Sequence, residues 1–265
     1  MDKKVVLITG ASSGIGLACA VHLAAQDYEV VGASRRTTPD EAWTSVVMDV
    51  DDDASVAEAV GQVVRDHGGI DAVVTCAGWG LAGPVETTPL AEARAQLDTN
   101  FFGTVRVVTS ALPSLRERKG RIVLMSSIGG VIGLPFQAYY SASKFALEGW
   151  AEALAWELKP HGVHVTLVEP GNFHTGFTGA RRTVPADADD PYATAAAKAI
   201  ATMERDEAAG AEPAGVAAVV AKVLTASRPP RRLSVGPAGE RVGVIAKRLL
   251  PNRLFEAASA SSLGV

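Results

Sequence analysis

Short apolar, β-branched runs alternate along this chain with longer segments in which apolar residues recur at helical spacing. The runs predict strands at Lys4–Thr9, Tyr28–Ser34, Thr44–Val50, Ile70–Cys76, Arg121–Ser126, Val163–Glu169 and Arg231–Val235. They lack the in/out alternation of a sheet with one wet face, which is the pattern of parallel strands covered by helices on both sides. Repetition of strand and helix then predicts an α/β fold: a seven-stranded, doubly wound, Rossmann-type parallel sheet in a single domain spanning residues 1–265. The rhythm breaks after Pro170. From Gly171 to Pro191 the chain is rich in Gly, Thr, Asp and Pro and reads as a long loop, the usual form of a lid. The chain thus divides into a core (1–170), a lid region (171–210) and a C-terminal extension (211–265).

Composition narrows the partners. Hydrophobic residues make up 48% of the 265, enough for a large core, and charged residues 20%. A formal net charge of −4, with no basic stripe interleaved with aromatics, sets nucleic acid aside as a partner. Cys19 and Cys76 have neither metal-ligand nor CxxC spacing, so they read as buried thiols in a reducing compartment, and no metal is predicted. The apolar run Val5–Ile8 is too short for a signal-peptide core or a bilayer span, which predicts a cytoplasmic protein. Residues Val242–Leu250 mix apolar and basic side chains over about two helical turns, short for an interfacial anchor. They predict a docked C-terminal helix rather than contact with a membrane.

The turn between the first strand and first helix reads Thr9-Gly10-Ala11-Ser12-Ser13-Gly14-Ile15-Gly16. Glycines are needed where a chain turns tightly and where backbone approaches a pyrophosphate. The helix that follows presents free N–H groups and its positive dipole end to such an anion. The spacing is GxxxGxG rather than GxGxxG, and a lone glycine-rich turn is weak evidence; the flanking strand and helix strengthen it. In a Rossmann unit an acid about 20 residues further on grips the ribose 2′-hydroxyl of NAD. Here that place falls on Ser34, followed by Arg35 and Arg36. Alone, two arginines would be ordinary surface charges. With the acid missing, a guanidinium fork that can bind a 2′-phosphate favours NADP over NAD.

This loop resembles the cofactor loop of the short-chain dehydrogenase/reductase family, and other segments follow that family in order and spacing. Tyr140-Ser141-Ala142-Ser143-Lys144 matches its YxxxK, on a segment whose pattern from Ala142 to Leu158 is helical, so that both side chains share a face. An ammonium beside a phenol lowers its pKa. Tyr139 has Ser143, not a lysine, four residues on, so Tyr140 is the candidate proton donor. Ser127 precedes it by thirteen residues, the family's serine spacing, and Asn100 matches the asparagine that interrupts a long helix and holds a water against the lysine. The resemblance further assigns Asp49 and Val50 to the adenine, and Cys76, Ala77 and Gly78 to the cofactor side of the fourth strand. Cys76 stands where the family has asparagine. Pro170 and Gly171 would line the nicotinamide, with Thr175 on its carboxamide.

Candidate substrate walls are Trp79-Gly80-Leu81, Leu134-Pro135-Phe136-Gln137, His174 and Phe177; Trp79, Phe136 and Phe177 are the leading residues among them. The run Ser141–Gly149 and the C-terminal extension resemble the hydroxysteroid and retinol dehydrogenase branch, which implies a small-molecule carbonyl or alcohol substrate, bulky and apolar. The family's helix packing implies a homo-oligomer. The competing reading is a regulator that binds the nucleotide without chemistry; it has no need for Asn100, Ser127, Tyr140 and Lys144 together.

Overall fold

The strand Lys4–Thr9 (β1) shows why the apolar runs are continuous. Its Val5 and Leu7 face one buried cluster, and its Val6 and Ile8 face another on the opposite side. A computed structural model describes residues 3–37, 42–186 and 189–259. After β1 come α1 (Gly14–Ala24), β2 (Tyr28–Ser34), β3 (Thr44–Val47), α2 (Asp53–His67), β4 (Ala72–Thr75) and the short β5 (Leu81–Ala82). Then α3 (Leu90–Leu97) runs through a π-helical turn at Asp98–Gly103 into α4 (Thr104–Arg118). β6 (Arg121–Met125), α5 (Ala138–Leu158) and β7 (His164–Pro170) complete the core. The remainder is α6 (Phe177–Ala180), β8 (Arg182–Thr183), α7 (Ala193–Ala208), α8 (Ala214–Thr225), β9 (Arg232–Val235), α9 (Ala238–Leu249) and α10 (Asn252–Ser259).

All seven predicted strands form one sheet, in the order β3-β2-β1-β4-β6-β7-β9, and every pairing in it is parallel. Residues of α2, α4 and α5 fill one face; those of α1 and α8 fill the other. β3 ends at Val47, three residues short of the prediction, because the chain turns at once: the Asp51 N–H donates to Asp49 Oδ1 at 3.1 Å, and Asp52 caps α2 through Ser55 N at 2.6 Å. α5 begins one turn before the predicted Ala142, which places Tyr140 in its first turn.

The stretch after Pro170 is not the unbroken loop expected. It contains α6 and β8, and β8 pairs parallel with β5 through Leu81↔Arg182 and Ala82↔Thr183. Two-residue strands are too short to show a period, which is why they escape a pattern search. Arg181, its side chain 1% exposed, pairs with Glu207, and Thr178 donates to the same carboxylate. These contacts bind α6 to α7.

The C-terminal extension folds back onto the sheet. Glu169, at the end of β7 and fully buried, accepts from Ser234 Oγ at 2.5 Å and from Arg248 Nη2 at 2.8 Å. Glu240 of α9 accepts from Asn172 N at 3.0 Å and from Asn172 Nδ2 at 2.7 Å. Thus α9 holds the chain on both sides of Pro170 and Gly171.

Candidate active site

The sheet order reverses at β1, whose neighbours β2 and β4 lead in opposite directions. In an open parallel sheet the crevice beyond the carboxyl ends of such strands is the natural ligand site. A cleft of about 1230 Å³ opens there. Every cofactor and catalytic candidate named from the sequence borders it, from Gly10 to Thr175.

Backbone forms one end of this cleft. Gly10 and Gly14 have φ of +67° and +54°, in the left-handed region that glycine tolerates. A Cβ at Gly10 would come within 2.8 Å of Ala77 N, and one at Gly16 within 2.2 Å of Gly10 O. Only glycines let the turn close this tightly. Ser13, at the N-cap of α1, makes no side-chain cap bond, which leaves the first N–H groups of the helix for an anion. Ser34 Oγ donates to Arg36 O at 2.5 Å and shapes the turn from which Arg35 and Arg36 reach the cleft, exposed. Among the described residues, neither arginine has a carboxylate partner. These features fit a dinucleotide.

The π-helical turn carries Asn100, buried, with both N–H groups of its amide and its oxygen engaged. Asn100 Oδ1 accepts from Trp79 N at 3.0 Å, while Nδ2 donates to Trp79 O at 3.0 Å and to Ser143 Oγ at 3.3 Å. It therefore pins the segment after β4 to α5, and it reaches α5 at Ser143 rather than at Lys144. Gly78 packs against the same amide. Cys76 lies against Cys19, whose thiol, together with burial, pushes the Cys76 thiol up.

Ser127 closes β6 at the start of a 3-10 turn, its Oγ accepting from Gly129 N at 3.0 Å. The same hydroxyl faces Pro170 O at 3.5 Å and acts to lower the neighbouring Tyr140 phenol. Tyr140 is buried and borders the cleft; its neighbour Tyr139 does not. Lys144 Nζ donates to Met125 O at 2.9 Å and lies 5.9 Å from the centre of the Tyr140 ring. Burial pushes the Tyr140 phenol up to about 12, against the lowering effect of the Ser127 hydroxyl. Burial also draws the Lys144 ammonium down to about 8. This corrects the expectation that the lysine lowers the phenol. In the open cleft the ammonium is turned onto a carbonyl, and loss of water dominates both groups.

On the substrate side Trp79 and Phe177 line the cleft, Phe177 edge-on to Tyr140 at 5.8 Å. The Arg182 guanidinium covers the Trp79 ring at 4.2 Å. Phe136 is a correction: at φ +57° the chain turns its side chain out of the cleft, into a small groove with Pro84, Val85 and Tyr192. Gln137 lines the cleft instead. His174 faces Glu212 at 4.0 Å near the surface, and Leu81 is fully buried in β5. Sequence reasoning missed a further wall, made by Met203 and Glu207 of α7, Glu240 and Gly243 of α9 and Phe255 of α10. Apart from helical periodicity, no motif marks those residues.

Comparison with known proteins bears on the whole chain. Residues 4–185 match the family described as short chain dehydrogenase. Over 259 residues the chain is 38% identical to a 3-ketodihydrosphingosine reductase of Bacteroides thetaiotaomicron, covering 97% of this chain and 96% of that one. It is 39% identical over 252 residues to retinol dehydrogenase 8 of Bos taurus, covering 86% of this chain and 80% of the relative. A short-chain dehydrogenase from Streptomyces avermitilis superimposes with a TM-score of 0.86 at 30% identity, over 99% of this chain and 97% of its own.

Proposed function

This chain belongs to the short-chain dehydrogenase family, and from that premise we propose that it is an NADP(H)-dependent oxidoreductase reducing a bulky apolar ketone or aldehyde. The observation that carries the reading is the meeting of Ser127, Tyr140 and Lys144 in one cleft, whose far end is a glycine cradle flanked by two exposed arginines. A regulator that only binds nucleotide has no use for that meeting.

In this reading Gly10–Gly16 and the N-terminus of α1 hold the pyrophosphate, and Arg35 and Arg36 hold the 2′-phosphate. Pro170, Gly171 and Thr175 border the nicotinamide. When bound, the reduced nicotinamide supplies the hydride that the carbonyl carbon receives. Ser127 donates a hydrogen bond to the carbonyl oxygen as negative charge develops on it. Tyr140 gives that oxygen its proton, and the product is the alcohol. A phenol held up to about 12 keeps its proton until an alkoxide, a far stronger base, is there to take it. Lys144 offsets the phenolate that remains, and Asn100, bonded to Trp79 and to Ser143, positions the segment after β4 against the helix that carries Tyr140 and Lys144.

An apolar substrate is supported by Trp79 and Phe177 beside Tyr140, and by relatives named for a keto-sphingoid base and for retinol. We place the protein in the reducing cytoplasm, and read the exposed Phe102, Phe145 and Trp156 as a contact between its copies.

The test is a screen of ketones, aldehydes and alcohols with NADPH and NADH, read by nicotinamide absorbance, for the wild type and Arg35→Ala. Ketone-dependent loss of NADPH absorbance is expected. Arg35→Ala should weaken NADPH binding by about 1–3 kcal/mol and leave NADH binding unchanged. Cofactor binding without turnover of any carbonyl or alcohol would contradict the enzyme reading. Equal losses for the two cofactors would contradict the role of Arg35.

A further inference from the structure

One feature of the sequence remains outside the chemistry above, the mixed apolar and basic run at Val242–Leu250. α9 turns Val244 inward, where it packs with Ile132 and Phe255. The opposite side of the helix presents Val242, Ile245 and Leu249 to water, and Leu249 is 76% exposed. Leu250 and, on α10, Leu254 extend that row. Single exposed apolar residues are ordinary, but a contiguous row marks a surface made for contact.

The charges beside the row are of one sign. Arg241 flanks it on α9 and Arg253 follows on α10, both exposed, while Lys247 is half-buried over the Phe255 ring and Arg248 reaches Glu169. Of the two acids in these helices, Glu240 is turned inward onto Asn172, and of the four cations Arg248 is turned onto buried Glu169, which leaves Glu256 against Arg241, Arg253 and the half-exposed Lys247. This outward face is apolar and positive on a chain whose net charge is −4. A second copy packed on it about a two-fold axis would set the arginines of the two copies against each other. An anionic surface would not.

We propose that the outward face of α9 and α10 docks on the surface of a bilayer containing anionic phospholipid. The run alone is short for an anchor, but α10 adds a second helix with exposed Leu254, and such a pair can lie in the interface with its apolar residues among the acyl chains and its cations at the headgroups. Among the described residues no helix is long and apolar enough to cross a membrane, so the contact is peripheral. Gly239, Glu240, Gly243 and Phe255 line the cleft from these same two helices. These residues lie on the inward side of the helices, so docking brings the cleft within a helix's width of the lipid, the phase in which an apolar substrate collects. The proposal goes beyond the oxidoreductase reading and stands without it, because lipid binding is measured without turnover.

The experiment is flotation of the full chain with phosphatidylcholine vesicles, with and without phosphatidylglycerol. The wild type is expected to float with the anionic vesicles and to be released by salt. Ile245→Glu with Leu249→Glu should lower partitioning about 10-fold or more while thermal stability and cofactor binding are unchanged, since both side chains already face water. Arg241→Gln with Arg253→Gln should also release the protein, with the apolar row intact. Three results would overturn the proposal: no binding to anionic vesicles, equal binding to both kinds, or wild-type partitioning by both variants. If the glutamate variant instead halves the solution mass and the wild type binds no vesicle, the face belongs to a second copy and the proposal fails.

Discussion

Lys144 carries an ammonium in a place from which water is largely excluded, and its proton affinity records the cost. Its value falls from the ordinary 10.5 to about 8 in the fold. Below that lower value both folded and unfolded chains hold the proton, and the buried charge opposes folding. Between the two values the unfolded chain holds a proton that the folded chain has released, so stability rises with pH across that window. The gain attributable to this one group is roughly 3 kcal/mol. Urea unfolding of the cofactor-free wild type and of Lys144→Met, from near pH 7 to near pH 10, isolates it. The difference between the two proteins should shift in favour of the wild type as pH rises; parallel curves would contradict the buried ammonium. At the same scale, Tyr140 was legible beside Tyr139 from the lysine four residues on, and burial separates the two tyrosines in the same way. The direction of the Tyr140 shift was not legible. A motif shows which groups are neighbours, but desolvation depends on everything packed around them.

Elements divide into those whose own periodicity specifies them and those that exist through contacts made far along the chain. The seven strands and α5 belong to the first kind, since long apolar runs and i, i+4 repeats survive in the sequence. β5 and β8 belong to the second: each has two residues, and they meet only because the chain after Pro170 returns across the cleft. Phe136 lies only four residues before Tyr140 in sequence, yet its backbone at φ +57° turns it away from the cleft, which no periodicity foretells. α9 is also of the second kind, held by the Arg248 bond to buried Glu169 and by Glu240 on Asn172. Arg248→Ala would leave Glu169 with Ser234 and with Arg232 at 4.0 Å. It should destabilise the protein by about 1–3 kcal/mol, the scale of a hydrogen bond to a charged group. Glu169→Gln in the same chain should recover part of the loss, because it removes the uncompensated charge. Calorimetric unfolding of the three proteins checks this, and an unchanged midpoint for Arg248→Ala would show that α9 is held elsewhere.

At the scale of the molecule, the sheet brings residues from five separate segments to one edge. The first turn supplies the glycine cradle, the end of β2 the arginines, the π-helical turn Asn100, the end of β6 Ser127, and the first two turns of α5 Tyr140 and Lys144. Helices packed on both faces fix those strand ends relative to one another, while α6, α7, α9 and α10 close the remaining side. The motif-bearing half of this arrangement was readable because each motif lies at a strand end, where parallel α/β topology dictates its place. The closing wall was not, because no local rule places a lid or a C-terminal helix. The proposed function turns on one consequence of that convergence, that Tyr140 rather than Tyr139 moves the proton. The most direct test compares turnover of one accepted ketone by the wild type, Tyr140→Phe and Tyr139→Phe, with NADPH affinity measured for all three. Tyr140→Phe removes only a hydroxyl, so cofactor affinity should hold while turnover falls ~100-fold or more, and Tyr139→Phe should lose far less. Near-normal turnover by Tyr140→Phe, or a dead Tyr139→Phe, would contradict it.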